Sequence, residues 1–212
     1  MINFLLADDH HIIRSALKAL IRDMYSDSNF DEAKDGESTF ELIKRNNYEL
    51  VILDVNMPNT DSFGLISNIL SYKPETKILM FSMNAEDLYA KRYLKMGARG
   101  YLKKDEAESE IQNAIRTVLS NKRYISQTMR NKLTEEALGQ KSTNPFDALS
   151  PREFEVLRHL IKGESVSEIG QQLSLHTSTI GTHKARIFEK LGIRNVVDIA
   201  ILAKVNEVEL SQ

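Results

Sequence analysis

Short apolar runs alternate along the first half of the chain with longer stretches in which apolar residues recur every three or four positions. Ile2 to Ala7 (INFLLA), Leu50 to Leu53 (LVIL) and Ile78 to Phe81 (ILMF) are almost continuously hydrophobic, as strands covered on both faces must be. Asn29 to Ala33 predicts a weaker second strand and Gly100-Tyr101-Leu102 a short fifth one. Between them, Ile13, Ala16, Leu17, Leu20, Ile21 and Met24 mark one helical stripe. Leu65, Ile66, Ile69 and Leu70 mark another, and Ile111, Ile115, Val118 and Leu119 a third. This alternation predicts an α/β unit, a doubly wound five-stranded parallel sheet with helices on both faces.

After Leu149 no strand pattern returns. Ser150, Pro151 and Glu153 make a capping-box arrangement with proline at the first helical position. Short helical runs follow, broken near Gly163, Leu173 to His176 and Gly192, so the second domain is expected to be small and all-α with four helices. Tyr124 to Leu138 reads as a helix capped at Ser126, and the GQKSTNPFDA that follows has the composition of a linker. The expected division is 1–122, a linker of 123–147 that includes the helix, and 148–212.

In open parallel sheets, ligands sit beyond the carboxyl ends of the strands. Those positions hold Asp8 and Asp9 after the first strand, Asp54 after the third, Ser82 after the fourth and Lys104 just past the fifth. Taken singly, an Asp at a strand end is ordinarily a turn or cap, and Asp9 or His10 is placed to cap the following helix. Ser82 and Lys104 singly are ordinary loop residues. Their joint occurrence at four strand ends points to chemistry. Converging carboxylates repel, and a hard divalent cation such as Mg²⁺ relieves that repulsion. One carboxylate can then attack a phosphoryl group while metal and lysine neutralise charge on its oxygens.

In the second domain, Val166, Ile169 and Leu173 give one apolar stripe and Leu175, Ile180, Ile187 and Leu191 the next. Two short helices meeting at a tight turn form a helix-turn-helix pattern, whose second helix enters the major groove of DNA. With Ile180, Ile187 and Leu191 inward, the opposite face carries Ser178, Thr182, Ala185 and Glu189, flanked by Gly181 and Arg186. Lys184 lies near the buried edge, with a stem long enough to reach a phosphate.

Composition narrows this picture. At 212 residues, 42% hydrophobic and 27% charged, the chain is neither collagen-like nor disordered. The lack of cysteine excludes disulfide scaffolds, thiol catalysis and cysteine zinc sites. No window approaches the roughly 20 apolar residues of a membrane helix, and the N-terminus lacks a basic leader and cleavage site, so a cytoplasmic location is expected. The net charge of −2 argues against whole-surface attraction to nucleic acid. Between His176 and Arg194, however, four of the five charged residues are basic, and phosphates need such a patch rather than a basic protein.

ADDH at 7–10, LDVNMP at 53–58, the Ser82-Met83 step after ILMF and GARGYLKKD at 97–105 resemble the CheY-like receiver domain of two-component response regulators. Residues 149–195 resemble the LuxR-type helix-turn-helix of the NarL/FixJ family. The resemblance implies that Asp54 accepts the phosphoryl group from a histidine kinase and that Ser82 and Tyr101 act as switch residues. It implies Mg²⁺ held by Asp9 and Asp54, by Asp8 in the wider acidic shell, and by the backbone carbonyl of Asn56. Of Lys103 and Lys104, the family spacing from Tyr101 selects Lys104. Strand alternation agrees, placing Lys103 with Tyr101 and Lys104 with Leu102. The family usually has proline after this lysine; here Asp105 follows. Asn56 and Asn84 occupy positions that influence phosphoryl lifetime in the family.

On the DNA side the resemblance makes Gly181, Thr182 and Ala185 base-facing, with lysine common where Gly181 stands. Neither Gly nor Ala makes the bidentate bonds that discriminate bases. Thr182 is therefore expected to contact a base or a thymine methyl, Arg186 to read or clamp at the margin, and DNA shape to supply the rest. Thr179, His183, Lys184 and Lys190 are expected at phosphates. Two copies are expected on a two-part operator, as a homodimer on activation. A haloacid-dehalogenase-type phosphatase would want a second acid where Asn56 stands, and a receiver that no longer takes phosphate would show a broken acidic site.

Overall fold

The computed structural model describes residues 1–138, 144–173 and 175–205. Part of the expected linker (139–143), Ser174 within the expected turn and the last seven residues lie outside them. The chain forms two compact units, Met1–Asn131 and Lys132–Gln212.

The first unit is a parallel sheet of β1 (Ile2–Ala7), β2 (Ser28–Ala33), β3 (Leu50–Asp54), β4 (Ile78–Ser82) and β5 (Gly100–Lys103) in the order β2-β1-β3-β4-β5. Between and after the strands run α1 (His11–Met24), α2 (Gly36–Arg45), α3 (Ser62–Tyr72), α4 (Glu86–Met96) and α5 (Glu108–Leu119). Alternate strand residues Phe4, Leu6, Leu50, Ile52, Leu79, Phe81 and Leu102 form one core with Leu17, Leu20 and Ile21 of α1 and Ala114, Ile115 and Val118 of α5. Leu5, Val51, Leu53, Met80 and Tyr101, of opposite parity, are buried as well, which is why these strands read as continuous apolar runs. Each fully buried large aliphatic side chain contributes roughly 1.5–3 kcal/mol.

The α2 and α4 helices carry no stripe that stood out in the sequence. The first offers Phe40, Leu42 and Ile43 alone, and the second interleaves its buried Leu88, Tyr89, Tyr93 and Leu94 with charges. Their ends are better marked: the Asp35 carboxylate accepts from Ser38 N, and α4 stops at Gly97 with φ +112°. Asp61 likewise caps α3 by accepting from Gly64 N at 2.8 Å. His10 stands at the N-cap of α1 but makes no side-chain capping hydrogen bond; its Nδ1 lies 2.8 Å from Asp9 Oδ1 instead.

Beyond α5 the chain returns to the sheet. Tyr124 pairs as an isolated parallel bridge with Gly100, where a Cβ would come within 3.0 Å of the Tyr124 side chain. Then α6 (Gln127–Ala137) begins, capped as expected by Ser126, whose hydroxyl accepts from Met129 N at 3.0 Å.

In the second unit a 3-10 turn (Pro145–Ala148) leads into α7 (Pro151–Ile161), α8 (Val166–Gln172), α9 (Thr177–Leu191) and α10 (Val197–Val205). The capping box at Ser150 and Glu153 is present, and a second stands at Ser165 and Glu168. Phe146, Phe154, Val156, Leu157, Ile169, Ile180, Ile187 and Ile199 are fully buried. Gly192, with φ +65°, ends α9.

Candidate functional sites

Asp54 is the last residue of β3 and Ser82 the last of β4, each one residue inside the strand rather than beyond it. Asp8 and Asp9 follow β1 and Lys104 follows β5. The Lys104 ammonium lies 2.6 Å from Asp8 Oδ2 and 2.9 Å from Asp54 Oδ2, with all three side chains under a tenth exposed. Lys103, by contrast, turns outward and pairs with Asp105 at 2.9 Å. The spacing and alternation that favour Lys104 therefore agree with the geometry.

Ligand atoms of Asp8, Asp9, His10 and Asp54 lie within 4.8 Å of one another. Three carboxylates answered by one ammonium leave excess negative charge on hard oxygen donors, a set that fits a divalent cation such as Mg²⁺. Two backbone amides steady the acids: His10 N donates to Asp8 Oδ1 at 2.8 Å and Asn56 N to Asp54 Oδ1 at 3.1 Å. Burial pushes the Asp54 carboxyl above its ordinary value, against the opposing pull of Lys104. Burial works against the Lys104 charge too, but Asp8 and Asp54 outweigh it and hold the ammonium firmly protonated. A cleft of about 380 Å³ lined by Asp9, Lys34, Asp35, Glu37, Pro58 and Asn59 opens beside the pocket.

Ser82 is fully buried, and its hydroxyl accepts from Asn84 N at 3.1 Å. Tyr101 is also buried and donates to the Asn84 carbonyl at 3.0 Å. The Asn84 side-chain amide pairs reciprocally with that of Asn56, at 3.1 and 3.3 Å. Tyr101 stacks near Tyr93 (6.1 Å), which stacks on Phe63 (4.5 Å). Two contacts escaped sequence reading: the Ser126 hydroxyl donates to Glu86 at 2.6 Å and the Tyr124 hydroxyl to Glu110 at 2.6 Å. They join residues 40 and 14 positions apart, and single-sequence spacing carries no such signal.

On α9, Ser178, Thr182, Ala185, Arg186 and Glu189 are exposed, whereas Thr179, Gly181, His183 and Lys184 are half-buried. The outward face is thus the one the helical wheel predicts. Two members of the expected phosphate-contacting set stand differently. The Lys190 ammonium lies 2.6 Å from the buried carboxylate of Glu153, which burial would raise but Lys190 and Ser150 hold below its ordinary value. His183 has a buried Nδ1 without a hydrogen-bond partner, and burial together with the Arg152 charge keeps its ring neutral. Lys184 lays its ammonium 5.6 Å from the Phe188 ring centre.

An acidic pocket with an apical lysine on a doubly wound sheet, followed by a separate helix-turn-helix unit, defines a receiver coupled to a DNA-binding module. Residues 4–116 match the response regulator receiver domain and residues 147–203 the bacterial regulatory proteins of the luxR family. The chain belongs to the NarL/FixJ response regulators, the phosphorylation-dependent transcriptional regulators of two-component systems. It is 31% identical over 204 residues to the response regulator UvrY of Escherichia coli, covering 96% of this chain and 94% of that protein. It is 32% identical over 203 residues to the response regulator GacA of Pseudomonas protegens, covering 96% and 95%. Among solved structures it is similar to RcsB from Salmonella enterica serovar Typhimurium bound to promoter rprA in the presence of phosphomimetic BeF3-. That likeness has a TM-score of 0.73 at 26% identity, over 98% of this chain and 100% of that one. None of the described helices is long and apolar enough to cross a membrane.

Proposed function

We propose that Asp54 is the phosphoryl acceptor and that its phosphorylation controls DNA binding by α9. The observation that carries this reading is the Asp54 carboxylate itself, 2% exposed, hydrogen-bonded to Lys104 and adjoining Asp8 and Asp9. A carboxylate oxygen attacks phosphorus, the bond to the donor histidine of a partner kinase breaks, and the leaving imidazole takes a proton. Lys104 supplies positive charge to the transferring oxygens. Mg²⁺, held by Asp9, Asp54, the Asn56 carbonyl and more loosely Asp8, would add charge neutralisation there. Ser82 then donates to the new phosphate, and Tyr101 follows the Asn84 backbone. A small phosphodonor serves in place of the kinase, and the receiver also catalyses its own dephosphorylation.

In the output unit, Thr182 and Arg186 meet base edges with Ser178, Gly181 and Ala185 against them, while Thr179 and Lys184 serve phosphates. The functional boundaries are 1–122 for the receiver, 123–147 for the linker and 148–212 for the output module. Val197, Ile201 and Val205 are exposed along one side of α10, which supports pairing of two copies on DNA. The protein works in the cytoplasm. Incubation with acetyl phosphate and Mg²⁺ should add one phosphoryl mass to the chain but not to Asp54→Ala, and should tighten DNA binding. No adduct, or an adduct surviving in Asp54→Ala, would refute the assignment. Rapid turnover of generic phosphate esters would indicate a phosphatase instead.

A further inference from the structure

The acidic pocket depends on how the chain leaves β1. The β1–β2 ladder ends where Asp8 N donates to Ala33 O at 3.1 Å. Asp8 is 3% exposed, and a buried carbonyl at such a strand end needs a donor. Arg14 of α1 supplies it: Nη1 lies 2.5 Å from the Asp8 carbonyl oxygen. The same guanidinium is fixed from the other side, Nε donating to Glu32 Oε2 of β2 at 2.6 Å. Lys18, one turn further along α1, also bonds Glu32, and the two cations hold the Glu32 carboxyl below its ordinary value. The Arg14 charge is thus balanced at Glu32, and a second donor, on Nη1, goes to the main chain of the pocket.

We propose that Arg14 is a positioning residue for the divalent cation, and that it affects phosphoryl acceptance only through that cation. It acts through the Asp8–Asp9 peptide, and Glu32 orients it. The peptide whose carbonyl Arg14 holds joins the two residues whose carboxylates enter the pocket. A rotation of that peptide would swing Asp8 away from Lys104 and Asp9 away from Asp54. A planar fork with several fixed donors can hold Glu32 and the carbonyl together, which an ammonium cannot do with the same directionality. Groups that orient metal ligands typically affect metal affinity by roughly 10–100-fold. This inference rests on the metal and acceptor roles proposed above.

The test uses the full chain with Mg²⁺ alone in isothermal titration calorimetry, then acetyl phosphate adduct formation across a Mg²⁺ series. Arg14→Met should weaken Mg²⁺ binding by about tenfold or more. It should raise the Mg²⁺ concentration for half-maximal phosphorylation equally, with the rate at saturating Mg²⁺ within about twofold of wild type. Arg14→Lys should fall between wild type and Arg14→Met, and Glu32→Gln should weaken Mg²⁺ binding several-fold. If Arg14 were only a cation competing with the metal, Arg14→Met would bind Mg²⁺ more tightly, which overturns the proposal. A lowered melting temperature with unchanged Mg²⁺ affinity overturns it also, because that is the mark of a purely structural contact. Should Arg14→Met fail to fold, unchanged Mg²⁺ binding in both Arg14→Lys and Glu32→Gln overturns it equally. Failure of wild type to bind Mg²⁺ would instead remove the metal reading on which the inference stands.

Discussion

Gly181 sits in the fifth position of α9, where helix propensity argues for almost any other residue. It is not among the glycines with positive φ, and a Cβ built on it meets nothing within 4 Å. Gly181→Ala therefore carries neither a conformational nor a steric penalty within the chain. The gain is the ordinary glycine-to-alanine difference in a helix interior, about 1 kcal/mol. For a unit of 60–100 residues that corresponds to roughly 4–8 °C in the midpoint of unfolding. Scanning calorimetry of the full chain should show the transition of the C-terminal unit moving up by about that amount while the receiver transition stays in place. Titration of a labelled operator should show the opposite trend. If DNA backbone or a base edge packs directly on the Gly181 main chain, the added methyl weakens binding by about tenfold or more, as overpacking costs 1–3 kcal/mol. A midpoint that stays or falls would refute the helix reasoning. A raised midpoint with unchanged DNA affinity would refute close approach at Gly181 and leave its choice without a binding rationale.

Lys104→Met leaves Asp8 and Asp54 buried without their counter-charge, so chemical denaturation at pH 7.5 should show a loss of about 3–5 kcal/mol; a loss under about 1 kcal/mol would show that the ammonium is not balancing the pair. Burial pushes the Glu86 carboxyl up, against the Ser126 hydrogen bond and with Glu106 and Asp87 adding to it. The folded state thus keeps that proton to higher pH than the unfolded chain, favouring folding at low pH and losing the contribution as pH rises through the folded value. Glu86→Gln, which keeps an oxygen for Ser126, should raise the melting temperature at pH 7.5 and flatten its pH dependence above the ordinary carboxylate range; identical profiles would refute this. Lys190→Met should destabilise the C-terminal unit by about 1 kcal/mol, given a half-exposed ammonium, and leave the salt dependence of DNA binding unchanged. A slope reduced by roughly 0.9 would instead place Lys190 at a phosphate.

The receiver was legible because its strands are buried on both faces and its chemistry stands at their ends. Ile2–Ala7 reads as a strand at its observed bounds, and the family spacing from Tyr101 singles out Lys104, which lies just past the end of β5, over Lys103. The α2 and α4 helices were not legible as stripes. Their packing uses mixed surfaces, such as the Ser62 hydroxyl bonded to the Tyr93 hydroxyl at 2.7 Å, which a hydrophobic pattern does not register. The same limit hides Arg14. Its sequence position marks it as one more polar residue on an amphipathic helix, and only the third dimension brings Glu32 and the Asp8 carbonyl to it. On α9 the outward face follows from helical periodicity, but the commitment of Lys190 to Glu153 does not. That pair closes across 37 residues between two helices, and charge counting treats both ends as solvated.

The unpaired positive charge of α9 is consequently smaller than its sequence suggests, since one lysine is held by Glu153. Affinity for DNA must then lean less on bulk attraction and more on contact geometry. Within the receiver, Asn84 ties the residues of the proposed switch together. Its N–H is held by Ser82, its carbonyl by Tyr101 and its side chain by Asn56, and two residues later Glu86 holds the cap of α6. A Ser82 hydroxyl that turns toward a phosphate on Asp54 must either drop the Asn84 amide or carry it along. On the proposed role of Asp54, either outcome would reach the first turn of α4, and with it the Ser126–Glu86 hydrogen bond at which α6 begins.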